Sequence, residues 1–204
     1  MAPPQVADII KNTEFKLELV QRIAFREVQP TLEVVAYDPQ WPQIFTTIKE
    51  QIITALGNEI VVAVHHVGST SIPGLPAKPI IDIDLVVRDN TNEAEYVAPL
   101  EAAGFKFLLR EPHWHEHRFF YTYKPYSVNL HVWGPDSPEV TRHQIFRQRV
   151  LDCPEDKALY LKAKQMAAAQ IGESGGNMQD YNELKEDTIR QILRNAFKDL
   201  GYIS

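Results

Sequence analysis

Apolar residues along this chain follow two spacings, one typical of helices and one typical of strands. Between Ile44 and Leu56 they recur every three or four positions, which predicts a helix that Gly57 ends. The run 60–67 is nearly all apolar and rich in β-branched residues, which predicts a buried strand. By the same reasoning, further strands are predicted at 32–36, 79–87, 105–110, 117–123 and 127–133, and further helices at 92–103, 138–150, 154–171 and 178–200.

The mixture of predicted strands and helices indicates an α/β fold, in which helices pack against a sheet and the last third of the chain is helical. The length of 204 residues fits one domain with an extension. Residues 1–33 have loosely helical apolar spacing, and they are expected to form an N-terminal helical extension that packs on the core, acts as a lid or contacts a second copy. Residues 34–204 are expected to form the domain itself.

Two aspartates interrupt one of the most apolar predicted strands. Asp82 and Asp84 lie within the run 79–87, and because side chains alternate along a strand, they share one face about 7 Å apart. Charges in an apolar strand cost stability unless they are paired or bind a metal. Two carboxylates at this spacing can hold a magnesium ion whose other ligands are phosphate oxygens of a substrate. The pattern therefore predicts a Mg²⁺ site at Asp82 and Asp84, although a solvent-facing strand can carry the same pattern.

A Gly-Ser turn lies a short loop upstream of these aspartates. Gly68 directly follows the predicted strand 60–67, and glycine allows the backbone to approach a ligand closely. If a helix begins after the turn, its free N–H groups and the hydroxyls of Ser69 and Thr70 can bind a phosphate. Gly-Ser-Thr-Ser alone is also an ordinary turn, so it is the combination with the two aspartates that favours a binding site.

This combination resembles a known signature. Gly68-Ser69 followed by Asp82-Ile83-Asp84 is similar to the signature of the nucleotidyltransferase superfamily related to DNA polymerase beta. The longer run 66–85 resembles the GrpB family within that superfamily. Shorter GrpB-like pieces at 37–42, 129–132, 146–149, 160–164 and 181–185 extend the resemblance over roughly residues 34–195.

The resemblance implies a mixed β-sheet flanked by helices and a magnesium-dependent transferase that moves a nucleotidyl group to an acceptor of unknown identity. Asp82 and Asp84 would hold the metal, and Gly68 and Ser69 would seat a triphosphate. Such catalysis works through positioning and electrostatics, with little covalent chemistry for the protein to perform.

The resemblance is incomplete at a third acidic position. Full nucleotidyltransferases usually carry a third carboxylate on a later strand, where this chain has Asn129 or His131. GrpB proteins resemble this sequence in having a histidine there. Because the unperturbed pKa of histidine lies near neutrality, His131 is a candidate general base or metal ligand, and a histidine that is merely hydrogen-bonded within the sheet is an equal alternative.

Basic and aromatic side chains elsewhere are candidates for substrate contacts. Lys78, Arg118 and Arg147 could neutralise charge that develops during transfer. Tyr181 and Lys185 lie one helical turn apart, as do Tyr160 and Lys164, and such pairs could line a pocket for a nucleotide base and its phosphates.

Three histidines stand at alternate positions in one short segment. His113, His115 and His117 would share a face if the segment were extended, so a zinc site is conceivable. The segment lacks a cysteine to complete such a site, and the preceding Glu-Pro signals a loop, so a loop near the substrate is the preferred interpretation.

Two other functions stay open. Fungal synthases that make arginine-containing cyclic dipeptides from aminoacyl-tRNA also resemble GrpB proteins, with an Asp-x-Glu pair where this chain has Asp82-Ile83-Asp84. In that chemistry an acidic residue would bind the arginine side chain or act as a base. The third alternative is a non-catalytic nucleotide-binding domain that retains the fold.

Composition and charge limit the kinds of binding partner that can be expected. The net charge of −6 and the pI of about 5.6 argue against broad nucleic-acid binding, so no DNA partner is expected, although a few basic residues suffice to contact a tRNA end. The one cysteine, Cys153, allows no internal disulfide, which favours a reducing, cytoplasmic location. No apolar run reaches the length of a transmembrane helix, so no membrane partner is expected. The substrate is either a nucleotide or an aminoacyl-tRNA, and the oligomeric state is left open.

Overall fold

The computed structural model describes residues 4–30, 33–174 and 178–204, and these form an α/β fold with helices packed against a six-stranded mixed sheet. The predicted fold class is thereby confirmed. The strands are β1 (Gln21–Arg22), β2 (Val61–Val67), β3 (Ile80–Val87), β4 (Lys106–Glu111), β5 (His117–Thr122) and β6 (Ser127–Trp133). The helices are α1 (Val6–Ile9), α2 (Trp41–Leu56), α3 (Val97–Ala102), α4 (Pro138–Asp152), α5 (Pro154–Ser174) and α6 (Met178–Asp199).

The strands follow the order β1-β4-β5-β6-β3-β2 across the sheet. β3 and β6 run parallel to each other, and the other neighbouring strands run antiparallel. β3 therefore lies inside the sheet, where partner strands cover both of its edges. The parallel register sets Asp82 beside Asn129 and Asp84 beside His131. The sheet thus brings the two acidic positions and the candidate histidine of the sequence signature together.

One face of β3 packs into the main hydrophobic core. Ile83 and Leu85 are fully buried, and they share a cluster with Ile52 and Leu56 of α2. Burial of each such side chain contributes about 2 kcal/mol of stability. The chain leaves α2 at Gly57, whose φ of +74° is a conformation that glycine adopts without strain. The predicted helix and its predicted end are both confirmed.

The opposite face of β3 meets the C-terminal helices. His143 of α4 is hydrogen-bonded to Asp84, and Tyr160 of α5 is hydrogen-bonded to Ser69. Tyr160 also belongs to an apolar cluster with Ile192 of α6, which ties the helices to one another. The polar groups of the sequence signature therefore lie between the sheet and these helices.

The N-terminal segment is not the continuous helix that its apolar spacing predicts. Among its described residues, helix is limited to Val6–Ile9 and to a 3-10 turn at Leu17–Leu19. The backbone N–H groups of Ile23 and Ala24 donate instead to the carbonyl of Leu108 on β4, so this part of the segment follows the edge of the sheet. Pairing with β4 prevails because a short isolated helix is only marginally stable in water.

Two other predicted elements are shorter than expected. The predicted strand 32–36 is reduced to a bridge between Val35 and Ala77, and Leu32 lies outside the described residues. The predicted helix 92–103 becomes a 3-10 turn followed by the shorter helix α3. None of the helices in the described parts of the chain is both long and apolar enough to cross a membrane.

Candidate functional site

A cavity of about 550 Å³, which we call the central cavity, lies beside the polar face of β3. This volume is in the range of small-molecule sites. Among the described residues that line it, Arg22, Arg26 and three lysines outnumber the carboxylates Asp82 and Glu111. The central cavity therefore suits an anionic ligand. The cavity brings together several of the residues that the sequence predicts, namely Gly68, Ser69, Lys78, Asp82, His131, Tyr181 and Lys185.

Gly68 brings the turn after β2 into contact with Asp82. Its φ is +66°, and a Cβ built on it would lie 2.3 Å from Oδ2 of Asp82. Glycine is therefore required both by the backbone conformation and by the lack of space. The turn continues into a single 3-10 turn, Ser69–Ser71, and not into the longer helix on which a helix-terminus phosphate site depends.

The two hydroxyl residues of this turn have different roles. Oγ of Ser69 lies 3.0 Å from the hydroxyl of Tyr160, and Ser69 lines the central cavity. Thr70 is 1% exposed, and its Oγ1 donates to the carbonyl of Ile80 at 3.0 Å. Nε2 of His66 also contacts this hydroxyl at 3.0 Å. Thr70 therefore ties the turn to β3 and is not placed for its predicted contact with phosphate.

Asp82 faces the central cavity within a small network. Its Oδ1 accepts a hydrogen bond of 2.7 Å from Nδ2 of Asn129, while its Oδ2 lies against Gly68. Oδ1 of Asn129 in turn accepts a bond of 2.7 Å from Nη2 of Arg26. The Arg26 guanidinium lies 4.7 Å from the ring centre of Tyr121, which is a cation–π distance. The N-terminal segment thus contributes a cation to the site.

Asp84 is fully buried, and both of its carboxylate oxygens accept hydrogen bonds from the protein. Nε1 of Trp133 donates to Oδ1 at 2.9 Å, and Nδ1 of His143 donates to Oδ2 at 2.8 Å. Burial acts to raise the pKa of Asp84, but the charge and hydrogen bond of His143 bring it below its ordinary value. Burial acts to lower the pKa of His143, whereas the charge of Asp84 raises it to about 9. The two side chains therefore form an ion pair at neutral pH.

This ion pair makes the two predicted metal ligands differ from each other. Asp82 faces the central cavity, whereas Asp84 is fully buried and each of its oxygens accepts one hydrogen bond from the protein. The described residues contain no group of three or more His, Cys, Asp or Glu side chains that could hold a metal ion. Asp82 alone fits the mode in which magnesium binds one carboxylate together with substrate phosphates. The conceivable zinc site also lacks its geometry, since the chain turns at His113 and His115 and only His117 lies in a strand.

Three lysines come together where α5 and α6 approach the loop before β3, and we call Lys78, Lys164 and Lys185 the lysine cluster. The Nζ atoms of Lys78 and Lys185 lie 3.3 and 4.3 Å from the ring centre of Tyr181. Nζ of Lys164 donates to the carbonyl of Pro76 at 2.6 Å. Burial, reinforced by the charge of Lys185, lowers the pKa of Lys78 and of Lys164 to about 7, and burial lowers the pKa of Lys185 to about 8. The cluster thus holds positive charge where water stabilises it poorly.

His131 stands at the end of a chain of hydrogen bonds. Its Nδ1 lies 3.0 Å from Nε2 of His117, and Nδ1 of His117 lies 2.7 Å from Oε2 of Glu111. Burial lowers the pKa of His117 to about 3, and burial together with the charge of His117 lowers the pKa of His131 to about 4. Burial also raises the pKa of Glu111. Both imidazoles are therefore neutral near pH 7, the state in which His131 can accept a proton.

The two arginines predicted to contact phosphate lie outside the central cavity. Arg118 is 5% exposed, and it is paired with Glu93 at 2.7 Å and with Glu116 at 3.0 Å. Arg147 lies near His66, and burial and the charge of Arg147 lower the pKa of His66 to about 4. Neither guanidinium is among the groups that line the cavity.

Several site residues have little or no signal in the sequence. Arg26 comes from the N-terminal segment, and His143 reaches Asp84 from a separate helix. Lys164 does stand one helical turn from Tyr160, the same spacing that marks the Tyr-Lys pair of α6. That spacing predicts that Lys164 lines the same pocket, and the structure places it in the central cavity, whereas the positions of Arg26 and His143 depend on the tertiary fold.

A family model and individual relatives match most of this chain. The family model described as GrpB protein matches residues 31–195. A protein named UPF0157 protein BH1888, from Halalkalibacterium halodurans, is 35% identical over 196 residues, which are 95% of this chain and 98% of the relative. A protein named dephospho-CoA kinase, from Mycolicibacterium paratuberculosis, is 27% identical over an alignment of 234 positions, which covers 94% of this chain and 56% of the relative.

A solved structure has the same fold. The crystal structure of the conserved protein GrpB from Enterococcus faecalis matches with a TM-score of 0.69 and 24% identity, over 82% of this chain and 99% of that chain. At this level of identity, the likeness establishes the fold. The mixed sheet with flanking helices that the sequence resemblance implies is confirmed.

Proposed function

The chain belongs to the GrpB family, and on that premise we propose that it is a transferase that binds a nucleotide in the central cavity and moves the nucleotidyl group to an acceptor. The observation that carries the proposal is the lysine cluster, which lines the same cavity as Asp82. The name of one relative, a kinase of dephospho-CoA, supports a substrate that takes part in phosphate chemistry.

The lysine cluster supports an anionic substrate for an electrostatic reason. Lys164 is 1% exposed and Lys185 is 9% exposed, so both ammonium groups have lost most of their hydration. This loss of hydration lowers the pKa of all three lysines, and repulsion by the charge of Lys185 lowers the pKa values of Lys78 and Lys164 further. A triphosphate offsets that cost because it supplies negative charge and several strong hydrogen-bond acceptors.

The remaining groups suit the other parts of a nucleotidyl transfer. Ser69 and the backbone at Gly68 would contact the phosphates, and Asp82 would bind a magnesium ion that arrives with the nucleotide. When bound, magnesium neutralises negative charge on the phosphates. His131 would take a proton from the acceptor, since it is neutral and lines the cavity. The protein would then act mainly by holding the substrate and stabilising its charge.

Calorimetric titration of the protein with each nucleoside triphosphate, in the presence and absence of magnesium, tests this function. We expect at least one nucleotide to bind, and we expect removal of magnesium or the variant Asp82→Asn to weaken binding by about tenfold or more. Asp89→Asn is the matched control, because Asp89 is exposed just after the same strand. Absence of nucleotide binding to the folded wild-type protein would contradict the proposal.

A second candidate function is supported by the surroundings of Arg26. Its guanidinium is bonded to Asn129 and lies 4.7 Å and 5.5 Å from the ring centres of Tyr121 and Phe119. A pocket that holds the guanidinium of Arg26 can hold the guanidinium of an arginine substrate in its place. This supports synthesis of an arginine-containing cyclic dipeptide from aminoacyl-tRNA, in which two ester bonds to tRNA are replaced by two amide bonds and both tRNAs are released.

Incubation with arginyl-tRNA, followed by mass spectrometry of the released small molecules, tests the second candidate. A cyclic dipeptide made by the wild type, and in larger amount by Arg26→Ala, would support it, because removal of Arg26 frees its pocket. Arg194→Ala, at an exposed position of α6, is the control. Nucleotide binding without any dipeptide product would favour the nucleotidyltransferase function instead.

A further inference from the structure

A line of three polar side chains crosses the sheet along the wall of the central cavity. Glu111 of β4, His117 of β5 and His131 of β6 lie on successive strands, and strand pairing sets Glu111 opposite His117. The two hydrogen bonds of the line measure 2.7 and 3.0 Å. Glu111 is 6% exposed and His117 is 2% exposed, so water competes little for these bonds. Buried polar groups in such a line need a consistent order of donors and acceptors.

The carboxylate at one end sets that order. An ionised Glu111 can only accept, so Nδ1 of His117 donates to it. A neutral imidazole carries one N–H, so Nε2 of His117 accepts a hydrogen bond from Nδ1 of His131. The other nitrogen of His131, Nε2, then carries a lone pair. Because His131 lines the central cavity, this lone pair belongs to the site where the substrate binds.

From this geometry we propose that Glu111 and His117 are positioning residues that hold His131 in its Nδ1–H tautomer, so that its Nε2 accepts the proton of the acceptor hydroxyl or amine. The identity of the reaction rests on the proposed function. As the acceptor oxygen or nitrogen bonds to the α-phosphorus and pyrophosphate leaves, the acceptor proton moves to Nε2. The Nδ1 proton of His131 moves to His117, and the Nδ1 proton of His117 moves to Glu111. One proton is then held on Glu111, and both imidazoles end neutral.

The surroundings of the line are compatible with this transfer. Glu111 lines both the central cavity and a second cavity of about 450 Å³, and the second cavity offers a proton on the carboxyl group a route to solvent away from the substrate. The ion pair on the far side of His131 already has both of its charges matched. Charged and titratable groups surround each member of the line. His131 is faced by Asp82 and Asp84 of β3 and by His143 of α4. His117 is faced by Asp84, His143 and Arg118, and Glu111 is faced by Arg22 and His113.

Nitrogen-15 NMR of protein labelled on its histidine rings tests the tautomers directly and needs no substrate. Long-range proton–nitrogen correlations distinguish an imidazole protonated at Nδ1 from one protonated at Nε2. In the wild type near neutral pH, we expect both His117 and His131 to carry their proton on Nδ1. An Nε2–H tautomer at His131 would overturn the proposal, and this measurement requires no variant to fold.

The variants Glu111→Leu and His117→Phe, which remove the acceptor and the linking imidazole, test the two positioning roles. In each variant, His131 should lose its Nδ1–H signal and show an Nε2–H signal. The control His115→Phe, at an exposed position of the adjacent turn, should leave the Nδ1–H signal of His131 unchanged. Persistence of the Nδ1–H signal in both folded variants would contradict the proposal.

A kinetic measurement separates the positioning role from a merely structural one. With the nucleotide that binds in the titration, kcat for pyrophosphate release should fall by about a hundredfold in Glu111→Gln while the Kd of the nucleotide stays unchanged. An unchanged kcat would contradict the role of Glu111. If no nucleotide binds to the wild type, the proposed function fails, but the tautomer of His131 can still be read, so the two failures are distinguishable.

Discussion

Binding of a triphosphate at about pH 8 should draw about two protons from solution into the lysine cluster. The pKa values of Lys78 and Lys164 are lowered to about 7 and that of Lys185 to about 8, chiefly by burial. At about pH 8 the first two lysines are each protonated in about one molecule in ten, and the third in about half of the molecules. A bound anion favours the charged form of all three, because a nearby negative charge raises the pKa of a lysine.

Calorimetric titration in buffers of different ionisation enthalpy measures this uptake. The slope of the observed binding enthalpy against the buffer enthalpy equals the number of protons taken up. The slope should be close to two at about pH 8 and should fall to zero or below at about pH 6, where the ligand-free lysines are already charged and the terminal phosphate releases protons on binding. Near pH 8 the terminal phosphate of the nucleotide is ionised, so the protons are taken up by the protein.

The contribution of a single lysine to the proton uptake can be measured with a variant of that lysine, and a variant of an exposed lysine on the same helix serves as the control. Lys185→Met should lower the uptake by at least about half a proton at about pH 8, because that lysine is about half protonated before binding and its charge no longer lowers the pKa values of Lys78 and Lys164. Lys198→Met should leave the uptake unchanged, since Lys198 is exposed on α6. Binding of normal affinity with no dependence on the buffer would refute the reasoning, because the lysines would then be fully charged before the anion arrives.

Three further predictions concern the turn after β2 and the ion pair between Asp84 and His143. Gly68→Ala should lower the free energy of unfolding, measured by chemical denaturation, by about 3 kcal/mol, because the added methyl group overlaps a carboxylate at positive φ. The difference in unfolding free energy between wild type and Asp84→Asn should fall by up to about 3 kcal/mol as pH rises from about 6.5 through 9. Below this range His143 is protonated in the folded and the unfolded protein and the ion pair is fully formed. Above it His143 is neutral and the ion pair is lost. Thr70→Val should lower stability by about 1 kcal/mol and leave nucleotide affinity unchanged in a titration, whereas Ser69→Ala should weaken nucleotide binding.

Each of these predictions has a control or a contradicting result. Gly172→Ala, within α5, should not destabilise the protein, since a methyl group there meets no atom within 4 Å. A pH-independent stability difference between wild type and Asp84→Asn would contradict the ion pair. Equal loss of nucleotide affinity in the Ser69 and Thr70 variants would contradict the separate roles of the two hydroxyls.

The alternation of side chains along β3 predicts part of the site. It places Asp82 and Asp84 on one face and Ile83 on the other, and the structure confirms this. It does not predict that the two aspartates differ, because that difference arises from Trp133 and His143, which stand 49 and 59 residues beyond Asp84 in the chain. A pairing between distant elements leaves no periodic signal in a single sequence.

Strand register explains why one predicted arginine lies outside the cavity. Antiparallel pairing sets Phe119 opposite His131, so Phe119 faces the central cavity and its neighbour Arg118 faces away. A shift by one residue would reverse the two, and the sequence of the strand alone does not fix its register. Helical spacing is more informative, since it predicts that Tyr181 and Lys185 lie together, as they do.

The regular elements of the domain follow from apolar spacing because each of them buries one face in a core. The helix predicted to end at Gly57 and the strands predicted on either side of the Gly-Ser turn are examples. The N-terminal segment departs from its predicted helix because it exposes much of its apolar surface, for example Phe15 and Phe25, and bonds to the edge of the sheet. Its contribution of Arg26 to the site could not be predicted for the same reason.

The central claim is that the lysine cluster binds the phosphates of the substrate. The most direct measurement is a titration of the nucleotide into the double variant Lys78→Met, Lys185→Met, compared with wild type and with the double variant Lys162→Met, Lys198→Met, whose lysines are exposed on α5 and α6. We predict that the first variant loses affinity by about a hundredfold or more and that the second binds as the wild type does. Equal affinity in all three proteins would contradict the claim.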